Sequence, residues 1–311
     1  MTRGMRAAAI AEYGGPEVLR LIEVDEPHVG AGQVRVRVKA AGVQPFDVAV
    51  VAGQILREEG DRDLATPRIP GNEFAGVVDE AGGGTAGFAV GDEVLGFGTL
   101  NAYGEYIVVG ADQICRKPAN MPWVVAGGFS AAAQTADIAL KELRVGAGDT
   151  VLIHGAAGAV GHVAVQLCRI WGADVVGAAR PAHHDFLRSL GAVPVGYGAG
   201  FLDRVCQAAP RGVVDACLDG VGGDTLDDSL KLISDRSRIL TLVEHEKAPR
   251  LGIRVTPRAR SAERLAELVA HYAEGRLAFD ILGTYPLADA AEAHRRYRAG
   301  NIRGKLVLTV G

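Results

Sequence analysis

An apolar run that ends in a turn of small residues and opens at once into a helical pattern constrains this chain more than any other feature. It lies at residues 152–166 and reads LIHGAAGAVGHVAVQ. Such a turn stands between a strand and a helix, with side chains kept small where backbone must approach something closely. On a G-x-G-x-x-G frame the three positions are Ala156, Gly158 and Gly161, with Gly155 one step earlier. Gly158 lets the backbone approach a pyrophosphate, Gly161 permits close helix–strand packing, and the free N–H groups at the helix start favour phosphate. Alanine serves at the first position if the backbone there keeps a negative φ, since only positive φ demands glycine. The turn formed by Gly155, Ala156, Ala157, Gly158, Ala159, Val160 and Gly161 is therefore expected to hold a dinucleotide.

The surroundings agree with this. From Pro122 onward come an alanine-rich helical pattern, the strand TVLIHG, and a helix from about 158 to 171. The strand DVVGAA, a helix through DFLRSL, a short strand near Val193, a helix at 202–208, the strand VVDACLD, the helix DTLDDSLKLI and the strand RILTLV follow. Strands alternating with helices predict βαβ units and a parallel sheet. Before Pro122 the texture is different. In QVRVRVKAAGV the valines 34, 36 and 38 alternate with Arg35, Arg37 and Lys39, a period of two that predicts an antiparallel strand with one wet face. Short apolar runs at 74–78, DEVLGF and GEYIVV continue a β-rich, barrel-like region. After Pro257, Ser261 is placed to cap a helix whose Leu265, Leu268, Val269 and Tyr272 form an amphipathic stripe. A second helix over 289–298, closed by Gly300, precedes a last strand KLVLTV. A β-rich opening, a βα middle and a mixed tail predict one domain inserted into another, with the tail completing the first.

The end of the second βα strand distinguishes two forms of the cofactor. An acid about 20 residues beyond the turn holds the ribose 2′-hydroxyl of NAD. Here DVVGAAR begins with Asp174 and ends with Arg180, so a guanidinium stands where a 2′-phosphate would sit. A charge-assisted contact of ~1.5–3 kcal/mol would favour NADPH over NADH by roughly ten- to a hundredfold. His183 and His184 could add donors, and His154 reads as a hydrogen-bonded structural histidine.

Charge and cysteine usage limit the partners. The net charge of −4 and pI near 6.1 argue against nucleic acid or an anionic membrane. Arg295, Arg296, Arg298 and Arg303 read as a solvated helix face. Cys115, Cys168, Cys206 and Cys217 form no C-x-x-C pair and are expected to be reduced and buried. The opening AAAIA is too short for a signal-peptide core, and no apolar run reaches membrane-spanning length, so a cytoplasmic location is expected.

Taken in order, AEYGGPEVL, AAGVQPFDV, PGNEFAGVV, GDEVLGF, YGEYIVV, VLIHGAAGAVG, DFLRSLGA, LDGVGGDTL and RGKLVL resemble the medium-chain dehydrogenase/reductase superfamily over essentially the whole chain. The likeness is to its zinc-independent quinone oxidoreductase branch, which includes ζ-crystallin-like and alkenal-reductase-like enzymes. The resemblance implies an α/β fold in which a Rossmann-type doubly wound parallel sheet, residues 123–258, is inserted into a GroES-like, β-barrel-type catalytic domain, residues 1–122 and 259–311. Zinc-dependent relatives place a cysteine in the segment matching AGVQPFD and a histidine in that matching PGNEF. Gln44 and Asn72 stand there, and the four-cysteine structural zinc loop is missing. Amides are poor zinc ligands, so no metal is expected.

The activity implied by resemblance is NADPH-dependent hydride transfer to a quinone or an α,β-unsaturated carbonyl, by a homodimer. Gln44, Phe46, Asp47, Asn72, Phe97 and Tyr103 would line the substrate cleft, with Gln44, Asp47 and Tyr103 as catalytic candidates. Several relatives carry a tyrosine where this chain has Ala49, so either Tyr103 or solvent must supply the proton. On the cofactor side, Thr135 matches a residue near the nicotinamide, Arg180 and His183 match 2′-phosphate contacts, and Tyr197 packs by the adenine-side phosphate. Asp219 to Gly223, including Val221, would border the adenosine, and Leu242 and Val243 end the strand whose loop approaches the nicotinamide. Reduction of an enoyl group in a biosynthetic pathway, and NADPH binding without catalysis, remain alternatives.

Overall fold

The computed structural model describes residues 4–56, 63–85 and 87–311. The chain forms two compact units. Unit 1 takes the described residues of 1–131 together with 261–273 and 280–311, and unit 2 takes 132–260 and 274–279. The expected edge at 122/123 is the start of a helix, Trp123–Glu142, that runs through the division.

Unit 1 opens with β1 (Gly4–Glu12), β2 (Arg20–Asp25), β3 (Gln33–Val43), α1 (Pro45–Val51), β4 (Asp63–Arg68), β5 (Glu73–Ala81), β6 (Glu93–Phe97), β7 (Tyr106–Gly110) and β8 (Ile114–Arg116). The chain enters α2 (Trp123–Glu142) and then unit 2. There follow β9 (Thr150–His154), α3 (Ala159–Ile170), β10 (Asp174–Ala178), α4 (His184–Ser189), β11 (Val193–Val195), α5 (Phe201–Ala208), β12 (Ala216–Asp219), α6 (Asp224–Leu232), β13 (Ile239–Thr241), α7 (Ala248–Leu251) and β14 (Arg254–Val255). The tail adds α8 (Ala262–Ala273), β15 (Ile281–Pro286), α9 (Ala290–Arg298) and β16 (Lys305–Thr309).

In unit 1 the alternating valines of β3 do what their period requires. Val34, Val36 and Val38 are buried, while the residues between them stay at least partly exposed. The strand is long enough to pair antiparallel with β5 along most of its length, with β7 through its first half and with β16 through its second. The sheet order is β15-β16-β3-β5-β6-β8, with β7 on β3, and a smaller sheet runs β2-β1-β4. The tail thus completes the sheet begun by the opening residues. Ser261 Oγ accepts the Arg264 N–H at 3.2 Å as the cap of α8, which buries Leu265, Leu268 and Val269.

Unit 2 is a six-stranded parallel sheet of order β11-β10-β9-β12-β13-β14. Numbered from β9, this is the 3-2-1-4-5-6 doubly wound arrangement, whose order reverses between β9 and β12. Ligands bind such sheets outside the strand carboxyl ends at that reversal. In register there, His154 ends β9 opposite Asp219 of β12 and Ala178 of β10. No periodicity marks β14, two residues long, or the seven-residue α1, since neither is long enough to establish a period.

Among the described residues no helix is long and apolar enough to cross a membrane. All four cysteines are free thiols, three of them buried, whereas Cys206 is only partly covered and corrects the expectation for that position.

Candidate functional site

The glycine turn of unit 2 connects β9 to α3. Its positive φ falls on Gly155, at +70°, and Ala156 is absent from the positive-φ residues, so alanine stands there without strain. Gly158 is the N-cap of α3, with φ −73° and ψ 174°. A Cβ there would meet only the Gly155 carbonyl, at 3.3 Å, and would otherwise fill open space. A Cβ on Gly161 would lie 2.7 Å from Ala156 Cα, closer than such atoms approach, so this position packs helix on turn. His162 N–H is the first of the helix to reach a backbone acceptor, Gly158, at 3.0 Å. The N–H groups of Ala159, Val160 and Gly161 have no backbone acceptor among the described residues. Three free donors at a helix start beside an open glycine fit a phosphate.

Neighbouring side chains brace this turn. The Tyr197 hydroxyl accepts the Gly155 N–H at 2.9 Å and donates to the Ala178 carbonyl at 3.0 Å, tying the turn to the end of β10. Burial pushes this phenol up to about 12, so it stays protonated. Its ring stacks on His154 and Phe201, at 6.0 and 5.7 Å between centroids. His154 is buried, with Nε2 at 3.0 Å from Ser229 Oγ, and burial lowers it to about 4, which keeps it neutral. It is held as a structural residue. Asp219 is fully buried. Its Oδ1 accepts the N–H groups of Val221 and Gly222 at 3.0 and 2.9 Å, and its Oδ2 accepts from Thr241 Oγ1 at 2.8 Å. The carboxylate therefore shapes the 220–223 loop and leaves Val221 exposed at its tip. Glu244 joins the loops after β12 and β13 by accepting the Gly223 N–H at 2.9 Å. Val243 is exposed and Leu242 half-buried beside it. Arg180 is exposed one residue beyond buried Ala179, with His183 half-buried a turn later. Thr135 is half-buried on α2.

Unit 1 carries a second polar set. Gln44 ends the loop after β3 and precedes Pro45, the first residue of α1, and its backbone N–H donates to Asp47 Oδ2 at 3.2 Å. Gln44 Nε2 donates to Asn72 Oδ1. Lys305 Nζ donates to Gln44 Oε1 at 3.4 Å and pairs with Glu73 Oε1 at 2.5 Å, while Glu73 Oε2 accepts the Ala131 N–H at 2.7 Å. The Tyr103 hydroxyl donates to Asp47 Oδ2 at 3.3 Å and lies 3.1 Å from His294 Nε2. All of these side chains are buried. Burial pushes Asp47 up to about 7, against the opposing pull of Lys305, and lowers His294 to about 4. Burial and the Asp47 charge raise Tyr103 well above the usual phenol range. Tyr103 lies in the unit 1 core with no exposed surface, its hydroxyl engaged by Asp47 and His294. Phe46 is half-buried on α1, as is Phe97 at the end of β6. Sequence reasoning did not find Glu73, His294 or Lys305 as members of this set. The available signal was a charge at the head of an apolar strand, in NEFAGVV and again in GKLVL.

Comparison with known proteins agrees with both units. The family model described as an alcohol dehydrogenase GroES-like domain matches residues 30–139, and that described as a zinc-binding dehydrogenase matches 198–308. A quinone oxidoreductase of Rattus norvegicus is 28% identical, over 98% of this chain and 97% of its own length. The solved structure of a Coxiella burnetii quinone oxidoreductase superposes with a TM-score of 0.88 at 28% identity, covering 99% of this chain and all of that one. The chain belongs to the medium-chain dehydrogenase/reductase superfamily, in its quinone oxidoreductase-like branch. Other proteins are also similar. The spectinabilin polyketide synthase system protein NorB of Streptomyces orinoci is 34% identical over 97% of this chain, which spans 14% of NorB's length. Polyketide synthase proteins of Streptomyces halstedii and Streptomyces venezuelae, 32% identical over 90% and 99% of this chain, are spanned to 5% and 8% of their lengths. A mycobacterial structure complexed with NADPH matches at TM-score 0.84 and 29% identity, over 98% of this chain and 99% of that one.

Within this superfamily the two amides are informative. At the positions matched to the cysteine and histidine of zinc-dependent members, Gln44 and Asn72 hydrogen-bond to each other, a donor set suited to oxygen rather than to zinc. Among the described residues, no three His, Cys, Asp or Glu side chains converge as metal ligands would.

Proposed function

We propose that the chain is a zinc-independent, NADPH-dependent reductase of quinones or α,β-unsaturated carbonyls. The observation that carries the reading is the hydrogen bond from the Gln44 amide to the Asn72 amide, the two residues that the resemblance sets at the zinc-ligand positions of this superfamily. When bound, NADPH supplies a hydride to an electron-poor carbon. The N–H groups at the start of α3 bind its pyrophosphate, and Arg180 with His183 carries donors for the 2′-phosphate. Support for the phosphorylated cofactor comes from the guanidinium at the end of β10 and from the NADPH complex of the mycobacterial relative.

Negative charge appears on the acceptor oxygen as hydride reaches the conjugated carbon. Amide N–H groups of Gln44 and Asn72 donate to that oxygen. Asp47 holds Gln44 through its backbone N–H, and Tyr103 holds Asp47. Because Tyr103 is sealed in the core, water supplies the proton that completes the reduction. A homodimer in the cytoplasm is part of this reading.

The test is NADPH oxidation against quinones, alkenals and enoyl thioesters. Turnover of at least one quinone or enone is expected; NADPH binding with no turnover on any of them would make the chain a non-catalytic nucleotide-binding protein. A second reading, reduction of an enoyl intermediate in biosynthesis, is favoured by the higher identity to polyketide synthase proteins than to quinone oxidoreductases. It predicts enoyl thioesters as the best acceptors in the same assay.

A further inference from the structure

We propose that Lys305 is a positioning residue that sets the hydrogen-bond polarity of the Gln44–Asn72 pair, so that the pair turns N–H donors toward a bound oxygen anion. The inference rests on the preceding reading that these amides meet an acceptor oxygen.

An ammonium group has donors only. The Gln44 atom facing Lys305 Nζ is therefore Oε1, at 3.4 Å. This turns Nε2 toward Asn72, which answers with Oδ1. Asn72 Nδ2 is left facing away, and it has no acceptor among the described residues. Neither amide nitrogen is among their sealed, unpartnered atoms. One cation at the inner end thus dictates the orientation of two amides that would otherwise each have two ways to sit.

The inner end is itself fixed. Lys305 is 3% exposed and bonded to fully buried Glu73, whose other oxygen accepts the Ala131 N–H. The pair fills the space over Gly42, where a Cβ would fall 2.7 Å from Glu73 Cδ and 2.8 Å from Lys305 Cε. A buried ion pair is a weak source of stability compared with well-packed apolar side chains. Its position behind the amides gives it a different use.

The test is the double variant Lys305→Met with Glu73→Gln, which removes one charge of each sign and keeps a side-chain oxygen at position 73 for the Ala131 N–H. The probes are 4-nitrophenolate and its neutral ether 4-nitroanisole, titrated into the full chain at alkaline pH, where both the phenol and Asp47 are ionised. Wild type should bind the anion roughly tenfold more tightly than the ether, the scale of a hydrogen bond to a charged group. The double variant should lose that preference while keeping its affinity for the ether. An unchanged preference in the double variant, or none in wild type, overturns the proposal. Neutron diffraction from wild-type crystals gives a measurement independent of the variant's folding. Deuterons on the Gln44 nitrogen facing Asn72 support the polarity, and Gln44 Oε1 facing Asn72 overturns it. Neither measurement uses turnover, so absence of NADPH oxidation would count against the reductase reading alone.

Discussion

The hydroxyl of Tyr197 lies 2.9 Å from the backbone nitrogen of Gly155 and accepts its N–H. Gly155 is the residue of the glycine turn that takes the left-handed conformation, so this bond fixes the turn where its geometry is least common. Tyr197→Phe keeps the ring stacking on His154 and removes the bond. Cofactor affinity should fall by roughly three- to fifteenfold, the worth of one neutral hydrogen bond, with kcat little changed. A titration that finds wild-type affinity would show that the turn holds its shape unaided.

Gly158 and Gly161 separate binding from packing. Gly158→Ala places a methyl against only the Gly155 carbonyl, so stability should change by less than about 1 kcal/mol while NADPH binding falls more than about tenfold, because backbone can no longer approach the pyrophosphate. Gly161→Ala forces a methyl onto Ala156 and should cost about 1–3 kcal/mol in denaturant unfolding. Equal stability losses in the two variants would contradict the assignment.

Arg180 is exposed at the end of β10, the strand end that meets the ribose in doubly wound sheets. Arg180→Ala should raise the Michaelis constant for NADPH by roughly tenfold or more and leave that for NADH nearly unchanged. Parallel losses on both nucleotides would remove the basis for a phosphorylated cofactor.

Asp47 makes stability depend on pH. Its carboxyl is raised from an ordinary 3.8 to about 7, chiefly by burial. The folded chain therefore holds a proton that the unfolded chain has already released, so this contribution is full below the unfolded value and is lost as pH rises through the folded one. Asp47→Asn retains an acceptor for Gln44 and Tyr103 and abolishes the titration. Relative to the variant, wild type should lose on the order of 1–3 kcal/mol between about pH 4 and about pH 8. Parallel unfolding profiles across that range would place the titration elsewhere.

The fold was legible in the sequence wherever periodicity and turn chemistry act locally. The valines of β3, the Ser261 cap and the alternating strands and helices of unit 2 each lie where their pattern requires. Ala156 was compatible with the turn because the left-handed residue is Gly155. What could not be read is what depends on burial between distant segments. Lys305 lies 232 residues beyond Glu73, and nothing in either strand's pattern announces that their charges meet. Nor does spacing show that Asp219 turns its carboxylate into its own loop, or that the Tyr103 hydroxyl is held by Asp47 and His294.

The central claim is that free N–H groups at the start of α3 hold a phosphorylated, reduced pyridine nucleotide. Equilibrium titration of the purified chain with NADPH and NADH, followed by nucleotide fluorescence, tests it most directly. The account predicts one NADPH bound per chain, roughly tenfold or more tighter than NADH. Failure to bind either nucleotide would contradict it.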